Sequence, residues 1–227
     1  MSQEQSPFER ARKLIDDANS ADPNQVSADG REWPKELLYS ERMSEMLDRF
    51  KPEADQVMKL AIRAQHIERW KSPRKAYPEG RIGYLKWRKD LYKIQASRAA
   101  ELMAQAGYDK VECARAWQAV AKKNIKGNSD TQLLEDVTDL VFMEHYMLEF
   151  VDKHPEYDEE KWIEIIRKTW NKMSAAAQQF ALSGAVILPP TLAPLSHKSV
   201  TGGVGVSNQT KCRGMIYAGN PASSGVD

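Results

Sequence analysis

Two carboxylates in the stretch LLEDVTDLVFMEHYMLEFVDKH fall where packing alone would not put them. On a helix with about 100° between successive residues, Glu144 lies near the middle of the apolar arc, level with Leu133, Val137 and Val151, and Asp136 lies between Met143 and Met147. A carboxylate on a buried face is costly unless it meets a cation or hydrogen-bond donors. Lacking them, its pKa rises until it can act as a general acid or base. Glu144 is therefore the leading catalytic candidate, with Asp136 as a shallower second. The competing reading of Glu144 is a structural ion pair with Arg63 or Arg88 from a neighbouring helix. Glu135, Thr138, Asp139, His145, Glu149 and Asp152 share the opposite arc, an ordinary solvent face.

A second kind of chemistry is suggested between Arg63 and Arg98, where eleven Lys or Arg residues meet three acids in a protein of net charge +1. Trp70, Tyr77, Tyr84, Trp87 and Tyr92 are interleaved with them. Cations that track phosphates, alternating with rings that stack on bases, are what single-stranded or looped RNA requires of its binder. The plainer alternative is solvated helix faces over half-buried rings. Lys86, Lys89 and Lys93 share one face of their helix at i, i+3 and i+7, a basic ridge beside the loop that carries Arg74, Lys75 and Arg81. From Asp130 to Glu160 there are eleven acids against Lys153, so part of the basic excess can be met internally.

His66 raises a third possibility, a metal held by a His on one helix and an Asp such as Asp136 on a later one, for phosphate hydrolysis. Its position on the polar arc with Asp55, Lys59, Arg63 and Arg69 argues for a solvated or RNA-facing histidine instead, and the residue after it is Ile67 rather than Asp. No glycine-rich phosphate loop, Gly-x-Ser-x-Gly elbow or HExxH is present. Cys113 and Cys212 form no paired motif and read as bystanders.

These residues must be positioned by helices. Ser6 caps and Pro7 opens the first, with Phe8, Ala11, Leu14, Ile15 and Ala18 at helical spacing. Leu37 to Phe50 forms a second, and Pro52 starts a third that runs to about Trp70. Gly83 or Tyr84 begins a long fourth helix ended by Gly107, and Asp109 with Glu112 forms a capping box for a fifth. Ser129 or Asp130 caps the sixth, the seventh spans about Asp158 to Met173, and Ser174 caps a short eighth. Asn19 to Pro34 reads as a loop, and nothing alternates with period two. The expectation is an all-α, single-domain bundle of seven or eight helices over 7–195, with no sheet.

The composition, 41% hydrophobic and 29% charged over 227 residues, suits a soluble globular chain with one substantial core. No run approaches a membrane span, the polar MSQEQSPFER start has no signal-peptide pattern, and a cytoplasmic location is expected. Residues 196–227, rich in Gly, Ser and Pro, read as a disordered tail.

Several runs, DGREWPKELLYSERM, RAQHIERW, SPRKAYPEGRIGYLKW, LLEDVTDLVFMEHY and IIRKTWNKMS, resemble a family of small bacterial and fungal proteins, over about Phe8 to Leu195. Some members are labelled glutamyl-tRNA synthetase-like, and fungal members include the arginine-containing cyclodipeptide synthases. The resemblance implies condensation of two amino acids into a diketopiperazine, with arginyl-tRNA and a second charged tRNA as partners and no cofactor or metal. The acidic motif of those synthases, two adjacent Asp and a Glu three residues on, reads Glu144, His145 and Leu148 at the matching positions. Glu135, Asp136 and Asp139 reproduce its spacing with the acids exchanged. On this reading Glu144 binds guanidinium or acts as base with Asp136 assisting, and Asp139 and His66 contact substrate. Arg63, Arg69, Lys71, Arg74, Lys75, Arg81, Lys86, Arg88, Lys89 and Lys93 hold tRNA. Lys86, Lys89, Lys93 and the loop from Arg74 to Arg81 should then face solvent, while Arg63 or Arg88 turns inward toward Glu144. The alternatives are a His-Asp-type metal-dependent phosphohydrolase and a non-catalytic RNA-binding module.

Overall fold

A computed structural model of the chain describes residues 5–187. The tail expected at 196–227 lies outside the described residues. Helix dominates as expected: the described residues form nine α-helices and one antiparallel hairpin. None of these helices is long and apolar enough to cross a membrane. The described residues cluster into two compact units, divided between Val137 and Thr138.

In the first unit, α1 (Pro7–Ser20) begins with a complete capping box, in which Ser6 and Glu9 satisfy each other's backbone N–H groups. The stretch expected to be a loop contains β1 (Gln25–Ala28) paired with β2 (Arg31–Pro34), which corrects the expectation of no sheet. Asp29 and Gly30 both adopt positive φ, 53° and 76°, the two-residue turn whose twist matches the flanking strands. Then α2 (Lys35–Phe50) leads to α3 (Gln56–Arg63), which is capped by Asp55 and is much shorter than expected. After Arg63 the chain continues in turns through the core, buried without interruption from Leu60 to Ile67, and Glu68 takes a left-handed φ of 49°.

The spine of this unit is α4 (Gly80–Ala106), 27 residues and about 40 Å long. It lies along α1 and along α5 (Lys110–Val120), while α3 packs on α2 and α5. Trp87 and Leu91 are buried on its inner face with Gln95 and Ala99, and Trp87 Nε1 donates to the Ser72 carbonyl at 2.9 Å. Gly83 allows the preceding loop to fold back, since a Cβ there would sit 1.8 Å from the Pro78 carbonyl oxygen.

The sixth helix begins as α6 (Ser129–Val141), with Asn128 Oδ1 accepting from the Asp130 and Thr131 N–H groups. It does not run straight to Asp152. A π turn over Phe142–Tyr146 precedes α7 (Met147–Asp152), and the extra residue in that turn rotates the side chains of α7 by about 100° about the helix axis. In the second unit α8 (Glu159–Trp170), capped by Asp158, and α9 (Ala175–Phe180), capped by Ser174, complete the helices. Phe150 sets its edge against Phe142 and Trp162 at ring separations of 6.1 and 5.5 Å, the centre of that unit's core.

Candidate functional site

Polar side chains buried in a small protein need a reason, and the first unit gathers them around His66. His66 is 4% exposed, which corrects its assignment to a solvent arc. Helix α3 ends at Arg63, so His66 lies in a turn, where helical angles no longer set which way a side chain faces. Its ring stacks on Tyr39 at 3.9 Å and 15°, and the Tyr39 hydroxyl donates to Gln65 Oε1 at 2.5 Å. Arg69 Nη1 lies 2.9 Å from His66 Nε2. A guanidinium can only donate, so Nε2 accepts and the imidazole proton resides on Nδ1. Nδ1 faces Glu36 Oε2 at 3.5 Å, too long for a well-made bond, and has no hydrogen-bond partner among the described residues.

From α4, Arg88 reaches the Tyr92 hydroxyl and lies over the rings of Tyr84 and Tyr92. Gln95, one turn further and 1% exposed, has no partner for Nε2 among the described residues. Lys122, just past α5, pairs with Glu135 at 2.5 Å and lies 5.5 Å above the Tyr92 ring. Arg69 lies 5.2 Å from the Trp87 ring. Arg69, Arg88 and Tyr92 are half-buried, so one edge of the group meets solvent.

Burial and charge divide the titrations. Burial raises the Glu36 carboxyl from its ordinary 4.5 to about 7, with Arg69 and Lys35 opposing the rise. Burial, reinforced by Arg69, Lys122, Lys35 and Arg88, holds His66 well below its ordinary value, so it is neutral. Burial resists ionisation of Tyr92, yet Lys122 and Arg88 bring its pKa below the usual range. The carboxyl near 7 can take up or release a proton at neutral pH, while the imidazole beside it stays uncharged.

The basic segment sorts into inward and outward groups. Arg63 does turn inward, but toward Asp16 (2.5 Å), Glu41 (2.5 Å) and Ser44 (2.9 Å), which corrects its place among tRNA contacts and as an inward partner for Glu144. Arg88 also turns inward, toward Tyr84 and Tyr92. Lys71 pairs with Glu68, and Arg74 donates to the Tyr77 and Gly80 carbonyls to close its own loop. Lys75, Arg81, Lys86, Lys89 and Lys93 are exposed, as expected, and form no ion pair among the described residues. Ile82, 85% exposed, and Leu85 stand on the same outer face of α4.

The acids of the sixth helix also sort differently. The solvent arc assigned to Glu135, Thr138 and Asp139 is buried, with each at 5% exposure or less. Glu135 meets Lys122, and Asp139 meets Lys172 at 2.8 Å. Asp136, expected to be the shallower of the two acids, is 3% exposed and accepts from Gln132 Nε2 at 2.9 Å. The Glu144 side chain is 7% exposed, accepts from the Ile187 N–H at 2.9 Å, and lies 3.3 Å from His145 Nε2.

Glu36, Tyr39, Gln65, Gln95 and Lys122 belong to no motif and join the site only through the fold. For two of them the sequence does carry a signal: Glu36 shares the α2 face of Tyr39, Met43 and Leu47, and Gln95 the α4 face of Leu91, Ala99 and Leu102. The described residues contain no group of three or more His, Cys, Asp and Glu that could hold a metal.

No curated protein and no solved structure matches the chain. One family model does, over residues 9–195, and by that match the chain belongs to DUF4202, a domain family of unknown function.

Proposed function

We propose that the chain is an enzyme acting on aminoacyl-tRNA, forming arginine-containing cyclic dipeptides from arginyl-tRNA and a second charged tRNA. The observation that carries this reading is the two-sidedness of α4. Its outer face is a ridge of unpaired lysines with apolar residues at the tip, and its inner face carries Arg88, Tyr92 and Gln95, with the Arg88 charge acting on His66. The ridge suits the phosphates of an acceptor stem. An ester on tRNA is already activated, so the protein must mainly position two aminoacyl groups and remove a proton from the attacking amine. Glu36, near 7, is the base. It takes the ammonium proton, the amine nitrogen attacks the ester carbonyl, and the carbon–oxygen bond to ribose breaks with the ribose hydroxyl leaving protonated. The same sequence within the resulting dipeptidyl ester closes the ring.

Purified protein is incubated with charged arginyl-tRNA and a pool of other aminoacyl-tRNAs, and products are read by mass spectrometry. An arginine-containing diketopiperazine is expected from the parent chain. From Glu36→Gln, about a hundredfold less or lower still is expected, with tRNA affinity retained. Absence of any such product from the parent chain overturns the reading.

A further inference from the structure

The buried polar group around His66 has more donors than acceptors. Arg69 and Arg88 form no ion pair among the described residues; their contacts are a histidine nitrogen, a tyrosine hydroxyl and ring faces. Two further donors lie in side chains that are 4% and 1% exposed: His66 Nδ1–H, which has only Glu36 Oε2 at 3.5 Å before it, and Gln95 Nε2, which has no acceptor among the described residues. Donors orphaned at such depth are strongly disfavoured, because burial strips their water and gives nothing back. Two from different elements, beside two guanidinium groups that hydrogen-bond to no carboxylate, suit a site whose acceptor is a ligand.

We propose that Arg69, Arg88, Lys122, His66 and Gln95 form a binding site for one phosphate group in its dianionic form. The charges match. Three cations face one paired carboxylate, Glu135, while Lys35 and Asp22 add one charge of each sign beside Glu36. With Glu36 mostly protonated below about pH 7, two positive charges are left for the ligand. The shape matches as well. The donors come from the turn after α3, from α4 at Arg88 and two turns further on at Gln95, and from the end of α5, so an acceptor they share is approached from several directions, as suits a tetrahedral oxyanion and not a planar carboxylate. Half-buried Arg69 and Arg88 supply an open edge for entry. The site rests on the first unit alone and does not require the cyclodipeptide reading.

Titration calorimetry of the full chain with inorganic phosphate at pH 7 in low-chloride buffer tests it. Saturable one-to-one binding with a Kd below about 1 mM is expected. Gln95→Leu and Arg88→Met should each weaken it by about tenfold or more, whereas Lys110→Gln with Lys126→Gln, at exposed lysines away from the site, should leave it unchanged. Adenosine 5′-monophosphate is titrated in parallel. Equal affinity assigns the site to free phosphate and tighter binding assigns it to a nucleotide phosphate, and both support the site. No saturable binding by a chain whose melting curve shows it folded, or binding untouched in folded Gln95→Leu and Arg88→Met variants, overturns the proposal. Cyclic dipeptide formation is read separately, so either reading can fail alone.

Discussion

Glu36 and His66 pull the pH dependence of stability in opposite directions. The Glu36 carboxyl titrates at about 7 in the folded chain against 4.5 when exposed, so between those values the folded state holds a proton that the unfolded state has released. Its contribution is fully present below pH 4.5 and is lost as pH rises through 7. His66, depressed by burial, acts in the other sense: its contribution is present above about 6.5 and is lost as pH falls. Comparing Glu36→Gln with the parent chain cancels the histidine. At about pH 4 both carry a neutral group at position 36 and should unfold at the same urea concentration. At about pH 8 the parent bears an ionised, buried carboxylate, and the variant should be more stable by about 3 kcal/mol, the equivalent of the shift. Equal stability in alkaline buffer would mean that Glu36 is not held neutral. A residue whose replacement stabilises the fold and abolishes turnover is one retained for chemistry.

At the scale of elements, Gly83 offers a test in which two effects have opposite signs. Alanine in a helix is favoured over glycine by about 1 kcal/mol, so Gly83→Ala would ordinarily stabilise α4. Here the new Cβ would meet the Pro78 carbonyl oxygen at 1.8 Å, and that atom is backbone, which cannot swing away. The loop must move, and a net destabilisation of about 2–4 kcal/mol is expected, read as a fall in Tm by differential scanning calorimetry. A stabilised variant would show that the loop does not close over the helix. The same local rules explain why some elements are legible in the sequence and others are not. Caps are short-range chemistry, so Ser6 with Glu9, Asp109 with Glu112, Asp158 and Ser174 mark their helices from the sequence. The Asp29–Gly30 turn is equally visible, but its four-residue strands scarcely alternate and so do not announce a hairpin. Starting the third helix at Pro52 overextends it, and every angle assigned beyond Arg63, His66 included, inherits that error. Glu135 and Asp139 read as solvent-facing because the lysines that neutralise them, Lys122 and Lys172, come from other elements, which a single helix cannot disclose.

For the molecule as a whole, a net charge of +1 supplies almost no long-range attraction for a polyanion. Any affinity for RNA must therefore be local, and the exposed ridge of α4 is where unpaired cations concentrate. Arg63, with its two carboxylate partners, is electrostatically spent inside the fold. This separation makes the salt dependence of binding diagnostic. The slope of log affinity against log salt counts the phosphates neutralised, at about 0.7 to 0.9 per contact. Lys86→Gln, Lys89→Gln and Lys93→Gln combined should flatten the slope for tRNA by about 2 to 3, measured by fluorescence anisotropy between low and physiological salt. The substitutions are exposed and should leave the melting temperature almost unchanged. Removing the charge of Arg63, by contrast, would leave Asp16 and Glu41 without their shared cation and disturb stability, not the slope. A slope unaffected by the three lysines would place RNA elsewhere on the chain, and α4 would then serve the buried site through its inner face alone.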